Sequence, residues 1–197
     1  ETGLPRFYES ILYIEQPLER SIALDPALED GIRAVGARRP VLIDESDEEL
    51  DTFRRAIDLG YRGVSSKACK GLIKALANLA LVQRRSGAFL SAEDLMNLPV
   101  VPLHQDLTHV AALGIGHVER NGHHYVRGLD HLSAAECKKC LQEHSSLYAQ
   151  ADGLVALDIR SGEIDLRSLQ VPGLGIGLDL PVEEMVPLEQ WEFESLA

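Results

Sequence analysis

Residues Val41-Leu42-Ile43-Asp44-Glu45-Ser46 constrain this chain most. Three branched aliphatics in a row read as a buried strand. Two carboxylates stand where that strand ends. Ser46 and Glu49 are spaced as an S-x-x-E capping box, so a helix is expected to start at once, with Leu50, Phe53 and Ile57 at helical spacing and Gly60 as its stop. A strand that ends in acids and runs directly into a helix is half of a βα unit.

The same unit recurs. Ile11-Leu12-Tyr13-Ile14 ends in Glu15-Gln16-Pro17, and Asp25-Pro26 opens a helix that closes at Gly36. Tyr61 to Lys67 is a third strand, and Leu72 to Arg85 is an amphipathic helix with Leu72, Leu76, Leu79 and Val82 on one face, ended by Gly87. Ala88-Phe89-Leu90 is a fourth strand running to Ser91-Ala92-Glu93-Asp94; Leu103 to Leu113 is a helix and Ile115 to Glu119 a fifth strand. Strand ends therefore fall near 15, 44, 67, 92 and 118, at intervals of 29, 23, 25 and 26 residues. Strand–helix alternation at this period predicts parallel β/α structure, and a (β/α)8 barrel spends roughly 30 residues per unit. The period alone fits an open doubly wound sheet equally well. After residue 130 the pattern changes. Ser133 and Glu136 form a second capping box opening a helix to about Ala149, Leu154 to Asp158 reads as a strand, and a glycine-rich stretch, Pro172 to Gly177, precedes an acidic tail. No sequence repeat beyond the βα period is visible.

Charge narrows the partners. With 31 acidic against 19 basic residues the net charge is −12, which disfavours a phosphate-backbone ligand. No run of 18 apolar residues predicts a membrane span. Glu1-Thr2-Gly3-Leu4 has neither the basic nor the apolar region of a signal peptide and lacks an initiating Met, so a processed chain or a piece of something longer is expected. Three cysteines, Cys69, Cys137 and Cys140, suit a reducing, cytoplasmic setting better than a disulfide framework.

Glu15, Asp44 and Lys67 occupy one position type, the last residues of consecutive strands, and in a parallel sheet such residues converge on one rim. Two carboxylates there suit a hard divalent cation such as Mg²⁺. A lysine beside that cation would have a depressed pKa and could act as a base. An ordinary Glu15–Lys67 rim salt bridge accounts for the same residues and is the simpler reading of composition alone. Other candidates carry blander readings. His104 and His109 are five apart, not the i, i+4 spacing of a helical zinc pair, and read as surface histidines. His123-His124 reads as a turn, and Cys137-x-x-Cys140, with no second pair, as incidental. The glycines at 173, 175 and 177 do not open a helix after a strand, which excludes a dinucleotide fingerprint. A zinc-type β/α hydrolase using His104, His117 and His123 is a weaker alternative.

Three stretches carry a family resemblance. Tyr-Ile-Glu-Gln-Pro at 13–17, Leu-Ile-Asp-Glu-Ser at 42–46 and Val-Ser-Ser-Lys-Ala-Cys-Lys-Gly at 64–71, in that order and spacing, resemble the mandelate racemase/muconate lactonizing enzyme group of the enolase superfamily. Pro172-Gly173-Leu174-Gly175 resembles the group's C-terminal P-G-L-G stretch. The resemblance implies the C-terminal portion of a TIM-type (β/α)7β barrel: residues 1–130 would be the βα units of family strands four to eight, and 131–197 the C-terminal helix and closing segment. It implies proton abstraction α to a carboxylate with Mg²⁺ as cofactor, in a racemase, epimerase, cycloisomerase or dehydratase. Glu15 and Asp44 would be metal ligands, Lys67 the catalytic acid/base, and Glu45 the residue orienting it. Glu119 and Asp94 would face a small-molecule carboxylate substrate. The chain departs from the group in lacking its N-terminal capping domain and first three strands, and with them a third metal ligand and a second lysine. The glycine pair after the strand-six lysine is reduced to Gly71, and Ser65-Ser66 replaces a more apolar run. The implied partner is a second copy of the chain or the remainder of the barrel. The alternative is a non-catalytic barrel fragment acting as a binding or assembly unit.

Overall fold

A computed structural model of the chain describes residues 3–93 and 97–192. The chain divides into two compact units, residues 1–127 and 128–197.

In the first unit, four strands lie parallel in chain order: β1 (Ile14–Glu15), β2 (Val41–Ile43), β3 (Gly63–Ser66) and β4 (Phe89–Ala92). Helices connect them. After the short α1 (Pro5–Ser10), α2 (Glu29–Gly36) crosses from β1 to β2, α3 (Thr52–Leu59) from β2 to β3 and α4 (Leu72–Arg84) from β3 to β4. α5 (Val101–Ala112) then leads to a one-residue parallel bridge between Glu93 and Glu119, which carries the sheet one position further. Among the described residues the strand order has no reversal, so the described sheet shows none of the switch points that define a doubly wound fold.

Every residue of β2 is buried, as its apolar run predicts, and every residue of β3 is buried as well despite its weaker apolar content, the pattern of a parallel sheet covered on both faces. On the helix side, Val41, Ile43, Val64 and Leu90 pack with Ile32 of α2 and with Phe53, Ala56 and Leu59 of α3. Tyr61 joins them, its hydroxyl donating to the Ala23 carbonyl at 2.9 Å. Gly60, at φ +108, takes the left-handed conformation that stops α3, as its place in the sequence predicts.

Two helix expectations are corrected. α3 starts at Thr52, not at Ser46. Gln16 takes Ser46 instead: the Ser46 N–H donates to Gln16 Oε1 at 3.0 Å, Gln16 Nε2 donates to Ser46 Oγ at 3.0 Å, and Ser46 Oγ donates to the Arg20 carbonyl at 3.2 Å. The Glu49 N–H goes to Thr52 Oγ1. On α4, Leu72 and Leu76 are 52% and 50% exposed, while Lys74, Ala75 and Asn78 are buried. The helix is rotated because Lys74 is drawn inward to Asp47.

In the second unit the Ser133–Glu136 capping box forms and opens α6 (Ala134–Glu143). Two antiparallel hairpins follow, β5 (Tyr148–Ala151) with β6 (Leu154–Leu157) and β7 (Ile159–Arg160) with β8 (Glu163–Ile164). α6 therefore stops short of the expected Ala149. The signal was present in Asp152-Gly153 and Ser161-Gly162, whose paired positive φ angles are those of two-residue hairpin turns. Leu129, Cys140, Leu147, Tyr148, Val155 and Leu169 are buried in this unit. Among the described residues, no helix is long and apolar enough to cross a membrane.

Candidate functional site

Strand side chains alternate between faces, so residues two apart on one strand share a face. The paired positions Glu15–Leu42–Gly63–Phe89 form one row across the sheet on the face away from α2 and α3. Ser65 and Ser91 pair in the next row, and Asp44, two past Leu42, shares that face. Lys67, Glu93 and Glu119 follow one row further, with Glu93 bridged to Glu119. The polar groups thus climb two residues per strand from Glu15 to Asp44 to Lys67, and then run level to Glu93 and Glu119.

These residues meet. Lys67 Nζ donates to Asp44 Oδ2 at 2.8 Å and is ion-paired with Glu93. Lys70 Nζ donates to Asp44 Oδ1 at 2.9 Å, to the Asp44 carbonyl at 2.8 Å and to the Ser65 carbonyl at 3.0 Å. Asp47 lies 3.6 Å from Lys70 and 3.2 Å from Lys74. Asp44, Asp47, Lys67, Lys74 and Glu93 are all buried. Buried charges require partners, and here three lysines face three acids in alternation. The Asp44 backbone is fixed from the other side, its N–H donating to Gln16 Oε1 at 3.0 Å.

Glu15 brings a fourth carboxyl to this group. Burial, then its hydrogen bond to Asp44 and the charges of Asp44 and Glu119, push its pKa up to about 7. Burial acts in the same direction on Asp44, but hydrogen bonds and charge from Lys67 and Lys70 outweigh it and hold that carboxyl below the usual range. Oxygens of Glu15, Asp44 and Glu93 lie within 4.8 Å of one another. Among the described residues these three form the one group of acids, histidines or cysteines able to share a metal ion. Carboxylate oxygens at that separation fit a hard divalent cation.

Of the residues the sequence singles out, Glu15, Asp44 and Lys67 come together. Glu45 does not join them; it stands exposed, and Lys67 is held by Asp44 and Glu93 instead. Glu119 is exposed beside Glu93, and Asp94 lies outside the described residues. His104 and His109 are not surface groups but are buried in α5. His109 Nε2 pairs with Ser66 Oγ at 3.1 Å, and Asp106 on the same helix accepts the Ala68 N–H at 3.3 Å. His117 pairs with Ser91 Oγ at 3.0 Å, and Ser91 Oγ donates to the Tyr13 hydroxyl at 2.7 Å. His123 stacks on His124. His104, His117 and His123 form no metal-binding group among the described residues.

Sequence reading missed Gln16, Lys70, Lys74, Asp47 and the inward Glu93. The lysines had a signal in their spacing, since Lys67, Lys70 and Lys74 recur every three to four residues as Asp44 and Asp47 do, but Lys67 follows β3 in extended conformation, Lys70 lies in the turn Ala68–Lys70 and Lys74 in α4, so the chain path rather than one helical face brings them to the acids.

Comparison of the chain with protein-family models, curated proteins and solved structures finds no match.

Proposed function

We propose that this chain is the C-terminal part of a (β/α)7β barrel, of the mandelate racemase/muconate lactonizing type, and that it carries the metal ligands and one acid/base of a reaction at the carbon α to a carboxylate. The observation that carries this reading is Lys67 Nζ at 2.8 Å from Asp44 Oδ2, beside the Glu15, Asp44 and Glu93 oxygens gathered within 4.8 Å. The barrel reading is supported by strand order without reversal, and by functional groups that climb the register. In a barrel the strands tilt, so a level layer of side chains crosses successive strands at staggered positions.

Glu15, Asp44 and Glu93 would hold Mg²⁺, which when bound supplies positive charge against the negative charge that develops on the substrate carboxylate. Lys67 moves the proton: once its ammonium has released a proton to solvent, the neutral Nζ accepts the α proton from one face of the substrate, and the ammonium so formed returns a proton where the reaction requires it. Gln16 and Lys70 keep Asp44 in place from two sides. Glu119, exposed on the same rim, contacts the substrate. Racemisation, epimerisation, cycloisomerisation and dehydration all share this proton-transfer step.

Calorimetry with Mg²⁺ tests the site, followed by α-proton exchange of small carboxylic acids in D₂O. Saturable binding that is lost in Asp44→Asn and Glu15→Gln, and exchange that is lost in Lys67→Met, are the expected results. Binding that survives both carboxylate substitutions overturns the ligand assignment.

A second reading, a non-catalytic binding or assembly unit, is favoured by the position of β1 at the margin of the sheet with Leu12, 69% exposed, just before it. A strand at a sheet margin offers unpaired backbone groups to a second copy or to the rest of a barrel. A strictly monomeric chain at high concentration in sedimentation would remove this reading.

A further inference from the structure

Lys67 and Lys70 both hold Asp44, but they are anchored differently. Lys70 sits in the short helical turn Ala68–Lys70 and is bonded to two main-chain carbonyls, Asp44 O and Ser65 O, besides Asp44 Oδ1. It ties the end of β2 to the end of β3. Lys67 is held by carboxylates alone, Asp44 Oδ2 and Glu93, two of the three acids whose oxygens define the candidate cation position. Its ammonium therefore does for these oxygens what a bound cation would do. An ammonium and a divalent cation cannot share the same oxygens, since like charges at such separation repel strongly.

Lys67 has somewhere to go. Its side chain forms one wall of a cavity of about 270 Å³, bordered also by Cys69, Glu93, Asn97, Gln105 and Asp106. The side-chain carbonyls of Asn97 and Gln105 give that cavity acceptors for a displaced ammonium.

We infer that Lys67 is a built-in counter-cation of the carboxylate cage: it yields Asp44 Oδ2 and Glu93 when a divalent cation binds and turns into the adjoining cavity, while Lys70 keeps Asp44 Oδ1. The inference rests on the proposed reading that Glu15 and Asp44 are metal ligands. It gives the two lysines separate roles. Lys70 is a positioning residue that leaves Asp44 one oxygen to offer; Lys67 is released toward the space a substrate would enter only when the cage is loaded.

The test uses the full chain and Mn²⁺ alone, with binding read by electron paramagnetic resonance. A protein whose site is blocked by its own side chain binds more weakly by the fraction of time the site is open. Lys67→Met is therefore expected to tighten Mn²⁺ binding by about 10-fold or more. Lys70→Met, which removes the same charge from the same carboxylate, is expected to give no comparable gain. Equal tightening in both variants would reduce the effect to general charge and overturn the inference. So would unchanged or weaker binding in Lys67→Met beside a wild-type chain that binds. If neither the wild type nor Lys67→Met binds, the metal reading itself falls, and this inference with it. A measurement on the wild-type chain covers the case in which Lys67→Met does not fold. With ¹⁵N-labelled lysine, saturating Mg²⁺ should shift the Lys67 ammonium resonance and leave that of Lys70 in place. A Lys67 resonance indifferent to Mg²⁺ that binds by calorimetry overturns the proposal.

Discussion

Asp44 is fixed at every polar atom that the structure records. Its N–H is taken by Gln16, its carbonyl and Oδ1 by Lys70, and Oδ2 by Lys67. A carboxylate so placed loses little further freedom on binding a cation, which is what preorganisation of a ligand means. His109 shows the opposite electrostatics. Burial lowers its pKa, and Ser66 Oγ pairs with Nε2 at 3.1 Å. A histidine with a folded pKa below its unfolded value stabilises the protein above the unfolded pKa, and that contribution is lost as pH falls through the folded value. The His109 contribution should therefore be lost on acidification from about 6.5 downward, while Glu15, raised to about 7, contributes in the opposite sense over the same window. His109→Asn, which cannot titrate, should remove the His109 part, so that its stability relative to the wild type rises as pH falls from about 7 to about 5 in urea unfolding. A wild-type profile that stays parallel to that of His109→Asn would mean that His109 titrates as it does in the unfolded chain.

At the scale of elements, the sheet is set by the register and by one small residue. A methyl group on Gly63 would overlap the Phe89 ring and lie 2.9 Å from Leu42 Cβ. Gly63 thus lets the Phe89 ring lie across β3, where Tyr13 approaches it with ring centroids 5.7 Å apart. Gly63→Ala should cost about 1–3 kcal/mol in denaturant unfolding, the usual cost of overpacking. Phe89→Leu should recover part of that loss, so the double mutant falls short of additivity. Additive losses would show that the two side chains do not compete for the space. The strand ends were legible in the sequence because Val41-Leu42-Ile43 and the carboxylates behind it can be placed in few ways, and the observed ends of β1 to β4 fall within one residue of the expected ones; β1, expected as a buried run over Ile11–Ile14, forms only at the half-buried Ile14–Glu15, with Leu12 exposed. Helix faces were less legible. Leu72 and Leu76 follow the apolar spacing of a buried face, yet Lys74 turns inward because Asp47, a residue of another segment, supplies its counter-charge. His109 is buried against the surface expectation for the same reason, since its partner Ser66 lies 43 residues earlier in the chain. The Ser46 cap failed because Gln16, 30 residues earlier, reaches its backbone first. Local pattern gives the elements; long-range polar partners decide which way they face.

For the molecule as a whole, the division at residues 127 and 128 separates two cores. All the proposed ligands, and both lysines on Asp44, belong to the first unit; Cys140 is fully buried in the second. Burial, then the charges of Cys137 and Glu136, push the Cys140 thiol up to about 11, so at pH 8 it reacts only when its surroundings open. Cys69, exposed in the first unit, has no such protection and should be alkylated at once. A ligand that binds only the folded form stabilises the unit that holds its site by RT ln(1 + [L]/Kd), about 2.7 kcal/mol at a hundredfold excess over Kd. With Glu15, Asp44 and Glu93 as the proposed ligands, saturating Mg²⁺ should slow amide exchange in β2 and β3 by up to about 100-fold, where exchange requires the unit to open. Alkylation of Cys140, which lies in the unit that holds none of the proposed ligands, should keep its rate. Equal slowing of Cys140 alkylation and β2–β3 exchange would mean that the two units open as one, with the binding energy spread over the whole chain rather than confined to the sheet that carries the carboxylates.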